Sequence, residues 1–245
     1  MKILAIEASG PVAGCAVLED GILQAEYSVQ YKKKHSQSLV PMMEEVRKIL
    51  DLDLKTVDAI ALSGGPGSFT GLRIGAATAK GVGLALDRPL IPVPTVDSLA
   101  YNLYGTLALV CPIMDARRSQ VYTGIYDLRE GFTVVRGQCV VPLSEIAGDL
   151  NERGREVIFL GDGVPVCEKA LEDLMQVPYS FAPAHLSRQR AAAVAALAMK
   201  YYREKGDQAF VNADDFRPEY LRQTQAEQER GERRNYSLVG EGAGK

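Results

Sequence analysis

Residues 64–75 read Gly-Gly-Pro-Gly-Ser-Phe-Thr-Gly-Leu-Arg-Ile-Gly and lie between a predicted strand at 58–63 and a predicted helix at 71–86. Glycine permits positive φ angles and lets another group approach the backbone closely. Free amides at a helix start favour an anion, and Ser68 or Thr70 can cap this helix. The stretch is therefore either a phosphate cradle or a tight turn before a capped helix.

The spacing within this loop excludes several familiar motifs. No Gly-Lys-Ser/Thr follows as in a Walker A loop, and the Rossmann Gly-x-Gly-x-x-Gly spacing is missing. A nucleophile elbow needs glycine two residues before and after the serine, but Ser68 is flanked there by Pro66 and Thr70. A hydrolase that uses Ser68 is consequently the weakest hypothesis.

The pattern around the loop occurs twice. Each half has three strands, a helix, a strand, a Gly-rich loop and a helix; the first strands end in Ile6-Glu7-Ala8 and Met114-Asp115-Ala116. The repeat of roughly 100 residues is longer than the about 20–50 residues of a solenoid repeat. We expect a duplicated α/β domain whose mixed sheets are flanked by helices. The alternative is a coincidence between two ordinary α/β halves.

The predicted elements and composition suggest three segments. Residues 1–104 form the first half and residues 105–222 the second, whose last helix, predicted at 188–205, can pack back on the first half. Residues 223–245 are rich in Gln, Glu, Arg and Gly with few apolar residues, which predicts a disordered tail.

Composition narrows the function classes. The net charge of −3, from 28 Lys and Arg against 31 Asp and Glu, argues against a strongly basic nucleic-acid clamp. The longest apolar stretch, residues 191–199, is far shorter than the roughly 20 residues that span a bilayer. The first residues do not read as a signal peptide, so we expect a cytoplasmic protein without membrane contact. The four cysteines are scattered, which predicts core residues and no zinc site.

Acidic residues end the first strand of each half. Glu7 and Asp115 could hold Mg²⁺ or activate a hydroxyl; alternatively, Glu7 caps the turn at Ser9 and Gly10. The candidate nucleotide or phosphate site comprises Glu7, Ser9, Gly64, Gly65, Gly67, Ser68, Thr70, Asp115, Gly161 and Gly163.

The remaining polar candidates stand alone. His35 and His185 each lack a neighbouring ligand at metal-site spacing, so no metal site is predicted. Lys32, Lys33 and Lys34 read as a solvated loop that could also touch phosphates.

The helix at 71–86 is rich in glycine and alanine. Glycine inside a helix costs about 0.5–1 kcal/mol relative to alanine, so the composition indicates that another backbone comes close. That backbone could belong to the chain's own sheet or to a partner's helix. The apolar stripe of the helix at 35–50 is a candidate neighbour.

Several segments together resemble the bacterial TsaB (YeaZ) family, in order over residues 1–222. They are Met-Lys-Ile-Leu-Ala-Ile-Glu-Ala-Ser at 1–9, the loop at 64–75, Pro-Thr-Val-Asp-Ser-Leu-Ala at 94–100, Asp-Ala-Arg at 115–117 and Arg-Pro-Glu-Tyr-Leu-Arg at 217–222. The resemblance implies an actin-like (ASKHA, ribonuclease H-like) fold of two duplicated lobes.

The resemblance also implies a partner role in making threonylcarbamoyladenosine beside the tRNA anticodon. In that family the catalytic subunit is a paralogue, TsaD, with a histidine metal motif, and TsaE is a separate ATPase. The resemblance implies that the chain forms a homodimer by itself and a heterodimer with a TsaD-like paralogue, and that tRNA is held through the complex. It implies no tightly bound cofactor, although ATP or ADP with Mg²⁺ could bind at the complex interface. The family's partner helices correspond here to 35–50 and 71–86, which gives as interface residues Leu39, Met42, Met43, Val46, Leu72, Gly75, Ala76 and Ala79.

Two features of this sequence differ from what a catalytically active member of the family needs. Glu7 stands where the family usually has Asp, and the chain has only two histidines, far apart. The first puts a metal or phosphate geometry built for Asp in doubt. The second favours a non-catalytic scaffold or activator with no catalytic residues of its own. The alternative is an autonomous ASKHA phosphotransferase that uses Mg-ATP on a small acid or sugar.

Overall fold

The computed structural model describes residues 1–31 and 35–222, so the predictions for Lys32, Lys33, Lys34 and the tail at 223–245 lie outside the described residues. The first half contains β1 (Lys2–Glu7), β2 (Ala13–Glu19), β3 (Ile22–Val29), α1 (His35–Ile49), β4 (Ala59–Gly65), α2 (Phe69–Leu86), β5 (Leu90–Pro94) and α3 (Thr95–Tyr101). The second contains β6 (Leu109–Asp115), β7 (Gln120–Asp127), β8 (Thr133–Pro142), α4 (Leu143–Arg153), β9 (Val157–Leu160), α5 (Val164–Leu174), β10 (Tyr179–Phe181) and α6 (Ala191–Lys205).

The two halves have the same topology. Each has a five-stranded sheet, in the order β3-β2-β1-β4-β5 and β10-β9-β6-β7-β8. In each half the first three strands are antiparallel, and the first strand pairs in parallel with the fourth. The predicted duplicated α/β fold, with mixed sheets flanked by helices, is confirmed.

Two short elements lack a clear signal in the sequence. Helix α3 was missed because residues 95–100 are all buried, so the segment lacks an amphipathic period. Strand β10 has only three residues. Helix α5 begins at Val164 with Pro165 in its first turn, a position where proline is tolerated.

Two helices pack outside their own half. One face of the first sheet packs against α1 and α2, while its other face packs against α6, whose Val194, Leu197 and Ala198 are fully buried. Helix α3 packs against β6 and β7 as well as β4 and β5. Within the described part of the chain, no helix is long and apolar enough to cross a membrane.

Asp97 connects these elements. Its carboxylate accepts hydrogen bonds from Tyr126 Oη of β7 at 2.7 Å and from Tyr201 Oη of α6 at 3.0 Å. Burial raises the pKa of Asp97, while the two tyrosine hydrogen bonds oppose that rise. The folded state therefore binds the Asp97 proton more tightly than the unfolded state does.

We expect Asp97→Asn to change how stability depends on pH. Because the folded pKa of Asp97 is raised, the wild type loses stability relative to the variant as pH rises from the ordinary aspartate value of about 4. Urea unfolding at several pH values measures this difference. The exposed Asp173→Asn controls for the loss of one carboxylate. A wild-type-minus-variant difference that does not change with pH contradicts the prediction.

Candidate functional site

A cleft of about 530 Å³ lies where the strand ends of the two halves meet. The first half supplies the loop after β1 and the loop before α2, and the second supplies the β6–β7 turn. The chain's last described residues also line it. The lining residues are Ser9, Gly10, Pro11, Pro66, Gly67, Ser68, Phe69, Met114, Asp115, Ala116, Arg117, Arg118, Tyr122, Asp162, Glu219, Tyr220, Leu221 and Arg222.

Glu7 is fully buried and is not among the residues that line the cleft. Its Oε1 accepts hydrogen bonds from the Ser9 amide at 2.7 Å and from Ser9 Oγ, and its Oε2 accepts one from Ser63 Oγ. Burial raises the pKa of Glu7, and the serine hydrogen bonds oppose that rise. Of the two interpretations of Glu7, the structure favours the residue that caps a turn.

The glycines of the β4–α2 loop allow this chain's own backbone to come close. A Cβ on Gly65, whose φ is +116°, would lie 2.2 Å from the Glu219 carbonyl oxygen, and one on Gly67 would lie 2.2 Å from the Ser9 carbonyl oxygen. The Ser68 amide donates to that Ser9 oxygen at 2.7 Å, and Ser68 Oγ caps α2 by accepting from Gly71 N. The first-half loop is thus a tight turn before a capped helix.

The second-half loop repeats this geometry. Gly161 also has a φ of +116°, and its Cβ would lie 2.1 Å from the Ile113 carbonyl oxygen. The Gly163 amide donates to the same oxygen at 3.0 Å. Both glycines therefore allow the loop to lie close against the backbone of β6.

Two acids of the second half do face the cleft. Asp115 Oδ1 accepts from the Arg117 amide at 2.7 Å, and its Oδ2 lies 3.6 Å from the Arg117 guanidinium. Asp162 is half-buried, and burial raises its pKa. Sequence reasoning missed Asp162, although it lies in the Gly161–Gly163 loop that the repeat had singled out.

The structure brings together only part of the predicted site. Ser9, Gly67, Ser68 and Asp115 line the cleft; the candidates that do not are Glu7, Gly64, Gly65, Thr70, Gly161 and Gly163. Among the residues described here, no group of three or more His, Cys, Asp or Glu could hold a metal ion. His35 instead donates through Nε2 to the Gly10 carbonyl oxygen at 2.8 Å.

The β6–β7 turn has an unusual backbone. Arg117, Arg118 and Ser119 have φ angles of +64°, +53° and +58°. Left-handed conformations are uncommon for residues other than glycine, and consecutive ones are strained. This turn forms one wall of the cleft.

The predicted interface residues on α1 and α2 face this chain's own core. Met43 is half-buried; the fully buried members are Leu39, Met42, Val46, Leu72, Gly75, Ala76 and Ala79. An apolar stripe at helical spacing marks the side of a helix that packs on its own sheet, and the predicted interface set stays a prediction. A bulky side chain at Gly75 or Ala79 would disturb the monomer.

The opposite sides of the two helices are exposed. On α1, Val40 and Ile49 are 58% and 77% exposed. On α2, the exposed small and apolar residues are Ala77, Gly81, Leu84 and Ala85. A Cβ on Gly81 would meet nothing within 4 Å.

Comparisons of this chain with known proteins identify its family. The family model described as TsaD, tRNA N6-adenosine threonylcarbamoyltransferase, matches residues 24–230. The tRNA threonylcarbamoyladenosine biosynthesis protein TsaB of Bacillus subtilis is 37% identical over 177 residues, 71% of this chain and 77% of that protein. The Escherichia coli TsaB is 32% identical over 53% of this chain and 57% of its own length.

A solved structure agrees with these relatives. The structure of YeaZ from Pseudomonas aeruginosa superposes with a TM-score of 0.76 at 27% identity, covering 90% of this chain and 99% of that one. A tRNA N6-adenosine threonylcarbamoyltransferase of Persephonella marina is also similar, at 26% identity over 73% of this chain and 57% of its own length. On the sequence identity, the matching model and the shared structure, the chain belongs to the TsaB family.

Proposed function

We propose that this chain is a non-catalytic scaffold and activator in tRNA threonylcarbamoyladenosine biosynthesis. It acts in the cytoplasm with a TsaD-like catalytic paralogue and a TsaE-like ATPase. Together they transfer a threonylcarbamoyl group to N6 of the adenosine next to the anticodon, with tRNA held through the complex. The names of the TsaB relatives support the pathway, and the similarity to a threonylcarbamoyltransferase supports a paralogous partner.

The environment of Glu7 carries the non-catalytic part of the proposal. Both carboxylate oxygens already accept hydrogen bonds from serines of the same chain, and the side chain is fully buried. A general base must reach the proton that it removes, and a Mg²⁺ ligand must offer an oxygen to the ion. In this arrangement Glu7 does neither.

The same observation bears on a bound nucleotide. The first-half residues do not fit ATP or ADP with Mg²⁺, because Glu7 is enclosed and Gly65 and Gly67 contact the chain's own carbonyl oxygens. Asp115 and Asp162 are the carboxylates on the second-half wall. We therefore propose no tightly bound cofactor on this chain alone, and place any nucleotide at the interface with the partner.

The exposed sides of α1 and α2 are our proposed partner surface, for a homodimer and for the TsaD-like heterodimer. Ala77, Gly81 and Ala85 are spaced by four residues and form a small-residue row on α2. Leu84 beside the row and Val40 and Ile49 on α1 add exposed apolar area. Small residues let a second helix approach closely, and the larger apolar side chains give it area to bury.

We expect Gly81→Arg to weaken association by at least about tenfold, since a long charged side chain would separate the two helices. The monomer should stay folded because Gly81 faces open space. Light scattering over a concentration series measures the oligomeric state. Gly148→Arg, at an exposed helical glycine of α4 with open space around it, is the matched control. Equal dimerisation of the two variants would contradict the surface assignment.

We expect Glu7→Asp to destabilise the fold by about 1–3 kcal/mol, the cost of buried polar groups left without partners. The shorter carboxylate cannot span from Ser9 to Ser63. Urea unfolding measures the loss, and Glu7→Gln, which keeps the length, should lose less. If Asp is tolerated as well as Gln, Glu7 is not held by the two serines in the way described.

Reconstitution tests the proposal as a whole. The purified chain alone should give neither threonylcarbamoyl transfer nor ATP turnover. Transfer should appear with the TsaD-like and TsaE-like proteins of the same host and disappear when this chain is left out. ATP turnover with tight nucleotide binding by the chain alone would instead support the autonomous phosphotransferase.

A further inference from the structure

We propose that residues 217–222, here named the latch, couple the two halves of the chain across the cleft. The latch fixes the Gly-rich loop of the first half and the strained turn of the second. This inference rests on contacts within the chain and is independent of the proposed function.

The latch contacts the first half through the backbone of Glu219 and the aromatic ring of Tyr220. The Glu219 amide donates to the Gly64 carbonyl oxygen at 2.7 Å, and the Glu219 carbonyl oxygen fills the space beside the Gly65 α-carbon. The Tyr220 ring centroid lies 5.1 Å from that of Phe69, and the Arg73 guanidinium lies 3.9 Å from the Phe69 ring centroid. Aromatic pairs at this separation attract each other.

The residues just before the latch are anchored to the same half. Phe216 is buried in the core between the first sheet, α1 and α2. Lys80 Nζ of α2 donates to the carbonyl oxygens of Asp214 at 3.1 Å and Phe216 at 3.4 Å. The latch therefore starts from a fixed point.

The latch contacts the second half through side chains. Glu219 Oε2 accepts from Gln138 Nε2 of β8 at 2.8 Å. Arg222 donates to the carbonyl oxygen of Ala116 and to that of Arg117 at 3.3 Å. Ala116 comes directly before the residues held at positive φ, and Arg117 is the first of them.

Because one short segment touches both walls, a disturbance at one wall should reach the other. Arg222 contacts the second half, whereas the Ser68 amide is a reporter in the first half, hydrogen-bonded to Ser9. The Gln120 amide, which donates to the Arg117 carbonyl oxygen at 3.2 Å, reports on the turn. Hydrogen exchange at these amides reads local opening directly.

The test is amide hydrogen exchange on the full chain carrying Arg222→Ala. We expect exchange to become at least about tenfold faster at Gln120 and also at Ser68. Arg129→Ala, an exposed arginine outside the cleft, should leave both amides unchanged. Faster exchange confined to the turn, with Ser68 unchanged, overturns the proposal.

A second pair of variants separates the latch backbone from its side chain. Glu219→Pro removes the amide that bonds Gly64, while Glu219→Ala keeps it. The proline variant should accelerate exchange at Ser68 and Gln120, and the alanine variant should leave Ser68 near its wild-type rate. Equal rates in the two variants at Ser68 also overturn the proposal. This pair remains informative should Arg222→Ala fold poorly, and reconstituted transfer activity is not needed for either result.

Discussion

The architecture depends on the close approach of two backbones at the end of β1. The carbonyl oxygens of Ala8 and Ser9 lie within 2.2 Å of where side-chain carbons of Gly71 and Gly67 would be. Only glycine leaves room there. This contact sets the start of α2 against the first sheet, and it positions Ser68 both as the helix cap and as the donor to Ser9. The cleft wall of the first half follows from it.

The two halves are more alike in backbone geometry than in the chemistry of their side chains. Gly65 and Gly161 share the same φ angle, and each leaves room for a carbonyl oxygen, that of Glu219 beside Gly65 and that of Ile113 beside Gly161. Yet the acids that end the two first strands differ in their surroundings: Glu7 is enclosed by serines, while Asp115 faces the cleft. The two lobes therefore contribute unequally to the cleft.

The sequence predicts the features that local residue patterns determine, and it does not predict the contacts between residues far apart in the chain. The duplicated α/β repeat and a serine or threonine cap on α2 follow from local pattern, and the resemblance to the TsaB family follows from short motifs. The environment of Glu7 depends on Ser63, which is 56 residues away, and the fit of Gly65 depends on Glu219. Apolar spacing on α1 and α2 located the helices but not the outward side, because the stripe that periodicity detects is the one that packs inward. The cleft role of Asp162 needed the folded geometry.

The packing of α6 on the first sheet has a consequence for biosynthesis. The first sheet packs its second face against α6, which is the last α-helix of the described residues. While the ribosome is still making the second half, that face has no covering helix from its own segment. Since chain synthesis proceeds at about 5–20 residues per second, strands β1, β2 and β4 wait several seconds with apolar side chains uncovered. The completed fold is thus assembled late, from contacts of high sequence separation.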